Sequence, residues 1–293
     1  MTKTRGAKLR YLTAMGIFGT IGLFVRSIPL SSGVIAMARG FIGAAFLALV
    51  MLLRRQKPAL DAVKQELGAL ILTGMLIGFN WILLFESYRF TSVATGTLCY
   101  YLAPTFVVLT SPLTLHEKLT KKKLLCAAAA LIGMVFVSGM AEGGLPSKSE
   151  ARGIFLGVGA AVLYAAIITM SKSIRKTPAF DKTIVQLLSA AVVLVPYNLL
   201  SPGTAGGSVT PLAIGLLIFV GIIHTGLAYT FYFGAITEVP LNTAAIFGYI
   251  DPIVAVLLSW LVLHEGMSVG KGLGAALIIG AALWSELPSK KES

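Results

Sequence analysis

Charge and cysteine are what this chain has least of. Of its 293 residues only 12% are Asp, Glu, Lys or Arg, about half the share of a soluble domain. Hydrophobic residues make up 56%, and the mean hydropathy is +0.86. So little polar surface excludes a water-soluble fold of this length. The charges are also short of one sign, since 12 acidic residues against 24 basic ones leave a net +12. On a soluble protein that excess would suggest nucleic acid. Here no polar face is left to bind it, and basic residues at the cytoplasmic ends of membrane helices account for it. Two cysteines, Cys99 and Cys126, exclude a disulfide framework, and their expected places at opposite ends of neighbouring helices speak against one bridge. The pairs His116-Glu117 and His264-Glu265 lack the second histidine of a zinc site, and no Walker A sequence, Cys/His cluster or dinucleotide fingerprint is present. The sequence implies no metal, no cofactor and no ATPase subunit.

What the chain has in quantity is long apolar runs. A spanning helix needs about 20 of them in a row, and ten such stretches are expected, near 11–28, 32–53, 67–87, 93–115, 122–139, 151–172, 180–200, 211–236, 240–263 and 270–286. With the N-terminus inside, 18 of the 24 basic residues fall on the cytoplasmic side, in clusters around Arg5, Arg54, Lys121, Arg175 and Lys290. The expectation is therefore an all-α membrane protein with both termini cytoplasmic. A secretory signal is the competing reading of the N-terminus, with Ala36-Met37-Ala38 as its cleavage site, but Arg26 interrupts the approach to that site.

Self-comparison adds organisation. An offset of 148 aligns Gly78 with Gly226, Phe85 with Phe233, Thr95 with Thr243, Tyr101-x-x-Pro104 with Tyr249-x-x-Pro252, and Leu115-His116-Glu117 with Leu263-His264-Glu265, all without a gap. The expected division is a first five-helix repeat over 1–141, a linker over 142–152, a second repeat over 153–287 and a tail over 288–293. An odd number of helices per half makes the second repeat inverted, an architecture that recurs among secondary transporters.

Ten helices in two halves, an aromatic-x-x-Pro in the fourth helix of each and a Leu-x-Glu closing it resemble the EamA-type branch of the drug/metabolite transporter superfamily. Within that branch the chain is most similar to the YddG-type amino-acid exporters of bacterial inner membranes. The resemblance covers essentially the whole chain. It implies a multi-pass inner-membrane carrier, not an enzyme, whose partners are a small solute and the lipid bilayer, working as a monomer.

Several residues stand out as chemistry. Pro104 and Pro252 lie mid-helix and free the carbonyls of Tyr100 and Gly248, which must find protein, water or ligand partners in hydrocarbon. Around that level come Trp81, Tyr100, Tyr101, Tyr164, Tyr229 and Tyr249, with Tyr232 as a further candidate. Tyr and Trp also mark membrane interfaces, a role that suits Tyr197 and Trp284 better. Aromatic faces hold an ammonium by cation–π attraction, so an aromatic cavity suits apolar and aromatic amino acids. Asp251, whose matched residue is Ala103, is a candidate for proton coupling or for neutralising a substrate amine, or else a structural hydrogen-bond partner. Arg39, Glu86 and Arg89 are expected to form an outer salt-bridge gate with Arg26, or a static ion pair. Asn80 and His224 are polar candidates for the cavity or for packing. Glu117 and Glu265 read as turn architecture ahead of Thr120 and Ser268, whose hydroxyls are expected to cap the next helices. Gly153-x-x-x-Gly157 and Gly270-x-x-x-Gly274 suit close helix packing. The sequence thus points to an amino-acid exporter; other metabolites or cationic drugs are the alternative cargo, and an intramembrane enzyme or lipid-handling protein is the alternative of another class.

Overall fold

In hydrocarbon no water is available for backbone N–H and C=O groups, so each span must satisfy its own. The computed structural model describes residues 3–114, 119–142, 145–200, 209–236, 238–239 and 241–286. Its regular elements there are helical. In chain order they are α1 (Lys3–Gly19), α2 (Ile21–Ser27), α3 (Ser32–Leu53), α4 (Leu60–Phe90), α5 (Val93–Tyr100), α6 (Ala103–Thr114), α7 (Lys121–Val137), α8 (Lys148–Ser171), α9 (Ala179–Leu200), α10 (Pro211–Phe219), α11 (Ala228–Ile236), α12 (Leu241–Gly248), α13 (Ile250–Leu261) and α14 (Val269–Glu286). A π-helical segment, Val220–Leu227, joins α10 to α11. Among the described residues seven continuous stretches are long and apolar enough to cross a membrane, and α13 and Val269–Ser285 are shorter apolar helices. The chain is a multi-pass membrane protein.

Ser and Thr start the helices. Ser31, Ser92, Thr120, Ser147 and Thr210 each accept a hydrogen bond from a backbone N–H in the first turn that follows, satisfying donors a helix leaves orphaned. Ser268 does the same for Lys271 at the start of α14. At Ser147 the cap is reciprocal with Glu150, so α8 begins inside the expected linker. Helix α4 is also longer than expected: it begins at Leu60, carrying Asp61, Lys64 and Glu66 on a polar first third. Leu115, His116, Glu117 and the tail over 288–293 lie outside the described residues.

The helix bounds follow the sequence offset closely. Adding 148 to α5 gives the bounds of α12, and the same shift carries α3, α6 and α7 to within a residue of α9, α13 and α14. Packing partners are matched too. Where α4 lies against α8 and α9, the π segment and α11 lie against α3 and α1; α3 meets α9, α5 meets α13 and α7 meets α14. Matched glycines do matched work: a Cβ on Gly78 would meet Ala190 of α9, and one on Gly226 would meet Phe46 of α3. The glycine pairs singled out in the sequence lie at close approaches, Gly153 on Thr91, Gly157 on Cys99 and Gly274 on the Gly133 carbonyl. Cys99 and Cys126 are both buried and unpaired.

One end of the bundle is tied by Glu265. Its carboxylate pairs with Arg26, accepts from Val93 N at 2.8 Å and from the Ser259 hydroxyl. Arg26 also donates to the carbonyls of Tyr88 and Thr91. Nearby, Glu142 accepts from Gly270 N at 2.8 Å. Elsewhere Glu66 accepts from Arg175, Lys176 and Thr177 N–H groups, Asp181 holds Ala59 N, and Arg10 pairs with Glu238.

Two outcomes follow for stability. Glu265→Gln, which removes the charge from a carboxylate shared by three partners, is expected to cost about 1.5–3 kcal/mol. Arg26→Gln, at a half-exposed position, is expected to cost about 1 kcal/mol or less. Thermal unfolding of the two variants in detergent ranks them. In the same assay Gly133→Ala, which pushes a Cβ against the Gly274 carbonyl at 2.9 Å, should lower the melting temperature. Gly280→Ala, with nothing within 4 Å of the added Cβ, should hold or raise it.

Candidate functional site

The two Tyr-x-x-Pro motifs mark the places where spans break. Helix α5 ends at Tyr100 and α6 starts at Ala103; α12 ends at Gly248 and α13 starts at Ile250. Pro104 and Pro252 therefore stand in the first turn of a new helix, where a missing N–H costs nothing. Each span is interrupted there by one or two residues of turn, Tyr101-Leu102 in one and Tyr249 in the other. The N-terminus of a helix carries partial positive charge, which favours an anion. Asp251, in the first turn of α13, answers it at one break. Its matched residue at the other, Ala103, does not.

The breaks are joined across the molecule. Tyr101 donates its phenolic hydrogen to Asp251 Oδ2 at 2.7 Å, and the Tyr101 and Tyr249 rings lie 6.4 Å apart. Tyr100 meets Tyr101 edge-on at 6.0 Å and stacks on Tyr164 at 5.0 Å. Tyr229 contacts Phe18 at 5.4 Å and Phe233 at 5.8 Å, and Tyr232 contacts Tyr11, Phe18 and Phe233. The expected aromatic set thus falls into a group around Asp251, made by Tyr100, Tyr101, Tyr164 and Tyr249, and a neighbouring one on α1 and α11. Tyr249 is buried, while Tyr164 is 38% exposed. A carboxylate ringed by phenols can accept an ammonium group from a solute and offer it aromatic faces.

The remaining candidates are placed differently. Asn80 is buried and donates to the Ala160 carbonyl at 2.6 Å, which makes it a bolt between α4 and α8. His224 is fully buried in the π segment, shares a 2.8 Å hydrogen bond with Thr20 and is flanked by Phe24 and Phe219. Thr20 interrupts the first span between α1 and α2. So α1–α2 and the π segment are irregular where they meet, whereas their matched helices, α8 and α4, run unbroken past the Asn80 bolt.

The group Arg39, Glu86, Arg89 and Arg26 is separated by the structure. Glu86 accepts from Ser32 at 2.8 Å and lies 3.8 Å from Arg89, one helical turn along α4. Arg26 goes to Glu265 instead. Arg39 forms no ion pair among the described residues; its guanidinium lies 4.2 Å from the Trp81 ring centroid and 5.3 Å from that of Phe85, and Nε donates to Thr225 at 3.1 Å. Sequence reasoning missed Thr225, Phe85 and the π segment. A π-turn leaves no spacing signature in one sequence, although such turns gather at functional sites.

The whole arrangement has relatives. The model of the EamA-like transporter family matches residues 8–139 and 151–286. The chain is similar to the uncharacterized transporter YxxF of Bacillus subtilis, with 27% identity across 86% of this chain and 80% of that one. It is also similar to the uncharacterized transporter YoaV of the same organism, with 25% identity across 82% of each, and to an uncharacterized transporter of Archaeoglobus fulgidus, with 27% identity across 92% and 93%. A solved crystal structure shares the fold at a TM-score of 0.63 and 20% identity, covering 95% of this chain and 96% of that one. Two family matches, one over each half, leave little of the chain unaccounted for: it belongs to the EamA-like transporter family.

Proposed function

We propose that this transporter is a secondary-active exporter of amino acids, neutral or aromatic ones, in the bacterial inner membrane. Ten spans in two inverted halves, with both termini cytoplasmic, would rock about a central aromatic cavity by alternating access. The observation that carries the reading is the Tyr101–Asp251 hydrogen bond. It joins the broken span of one half to the broken span of the other, so any movement between the halves must make or release it. The helix bounds that repeat at the offset of 148 and the matched packing partners support the two-half architecture. Irregular α1–α2 and π segments facing regular α8 and α4 support a molecule whose halves hold two different conformations at once. Exchange of those conformations would turn the cavity from one side to the other.

Asp251 with its phenols would serve a cationic drug or another amine as well, which keeps that cargo as the second reading. Counterflow in proteoliposomes separates the two. The expected result is exchange of labelled leucine or phenylalanine, suppressed by unlabelled amino acids and not by cationic dyes. No exchange by correctly folded protein would sink the amino-acid reading.

Three variants sharpen the mechanism. Asp251→Asn should flatten the dependence of transport on an imposed pH gradient while leaving the melting temperature nearly unchanged; transport that still follows pH would remove Asp251 from coupling. Tyr101→Phe removes a hydrogen bond to a carboxylate, worth about 1.5–3 kcal/mol, and should raise the KM of exchange on the order of tenfold. Tyr249→Ala should weaken affinity similarly at near-normal expression, and loss of folding instead would assign the ring to packing.

A further inference from the structure

Arg39 is a cation inside a span that the described residues leave without an anion. It lies two turns into α3 and is 4% exposed. A charge in a spanning helix is retained where it pairs or faces a polar cavity. Glu86, the carboxylate expected to pair with it, is engaged with Ser32 and Arg89, while Glu265 is engaged with Arg26 and Asp251 with Tyr101. Of the five N–H groups of a guanidinium, only Nε–H has a partner among the described residues, Thr225. The terminal nitrogens donate to none of them, yet neither is sealed off from accessible space. Stacking on Trp81 offsets only part of the cost of taking an ion out of water. The balance calls for an anion from outside the chain.

The position of Arg39 says where that anion would sit. Trp81 and Phe85, its aromatic bed, belong to one packed cluster against which Tyr100 and Tyr229 also rest. Tyr100 leads through its ring contact with Tyr101 to Asp251. A positive group on α3 and a negative group on α13 therefore reach the same aromatic layer, with the Arg39 fork held in plane by Trp81 and Thr225. A fixed planar guanidinium matches a carboxylate through two parallel hydrogen bonds.

We infer that Arg39 is the docking point for the carboxylate of the transported solute, so that the site takes compounds with a free carboxylate and rejects the corresponding amides and amines. The inference rests on the exporter reading above and names the chemistry by which its cargo is selected. It also disfavours cationic drugs, which bring no partner for Arg39.

The test uses the purified full chain in nanodiscs, with binding read by thermal stabilisation and by tryptophan fluorescence, to which Trp81 contributes. The probes are leucine, phenylalanine, 3-phenylpropionate, phenylalaninamide and 2-phenylethylamine. Wild-type protein is expected to bind at least one amino acid and to bind it more than tenfold tighter than the amide and amine. Arg39→Gln should abolish that preference, and Arg39→Lys, which keeps charge but loses the fork, should weaken carboxylate binding on the order of tenfold. If Arg39→Gln does not fold, the wild-type ranking and Arg39→Lys still decide. Amide or amine binding as tight as the acid, unchanged affinity in the variants, or no binding of any carboxylate would each overturn the anchor. Binding of 3-phenylpropionate that depends on Arg39, with no amino acid moved in counterflow, would instead keep the anchor and sink the amino-acid exporter reading.

Discussion

Every feature of this molecule is subject to one constraint: a backbone N–H or C=O in hydrocarbon must find its partner within the protein. Continuous helices without internal proline meet it automatically, and α3, α4 and α8 do so over 22 to 31 residues. The exceptions are where the constraint is met by something else. At Tyr101 and Tyr249 the helix stops and restarts, at Thr20 a hydroxyl returns to the Ile17 carbonyl, and over Val220–Leu227 the helix widens into π turns. These irregular places carry Asp251, Tyr101, His224 and Thr225. In a membrane protein the cost of irregular backbone concentrates polar chemistry where the backbone departs from the helix.

The polar side chains divide accordingly. Asn80 on Ala160 and Gln186 on Thr73 at 2.8 Å join regular helices, and Ser259 accepts from Ala94 N while donating to Glu265. Glu265 closes an end by holding Val93 N and Arg26 together. Asp251 and Arg39 are of another kind, since each retains hydrogen-bonding capacity beyond its protein partner. Spare capacity in an apolar interior is expensive, and it is what a solute with opposite charges would use.

Much of this was legible before any coordinates. The matched Tyr-x-x-Pro motifs located both breaks because proline removes a specific backbone donor, and Thr120, Ser268 and the glycine pairs announced caps and close contacts by their chemistry. The sequence could not pair Arg26 with Glu265, which are separated by most of the chain, because proximity of that kind is made by packing alone. Arg39, Glu86 and Arg89 looked like one cluster on charge, and the rotation of α3 about its axis turned Arg39 towards Trp81 instead. The Thr20 break and the π segment involve no proline, and nothing local distinguishes them from regular helix.

The lone Asp251 has a consequence for how such a molecule can arise. The helices α3 with α9 and α7 with α14 meet their own counterparts, and the matched spans α5–α6 and α12–α13 meet where α5 packs on α13, the contacts that two identical five-helix chains would make around a two-fold axis. In a pair of identical chains every residue comes twice, so a carboxylate beside the proline would face a second one near the axis, and two like charges there repel. Joining the halves in one polypeptide removes that obligation. One copy keeps Ala103, the other acquires Asp251, and a single negative charge becomes available at a centre where symmetry would have allowed only none or two.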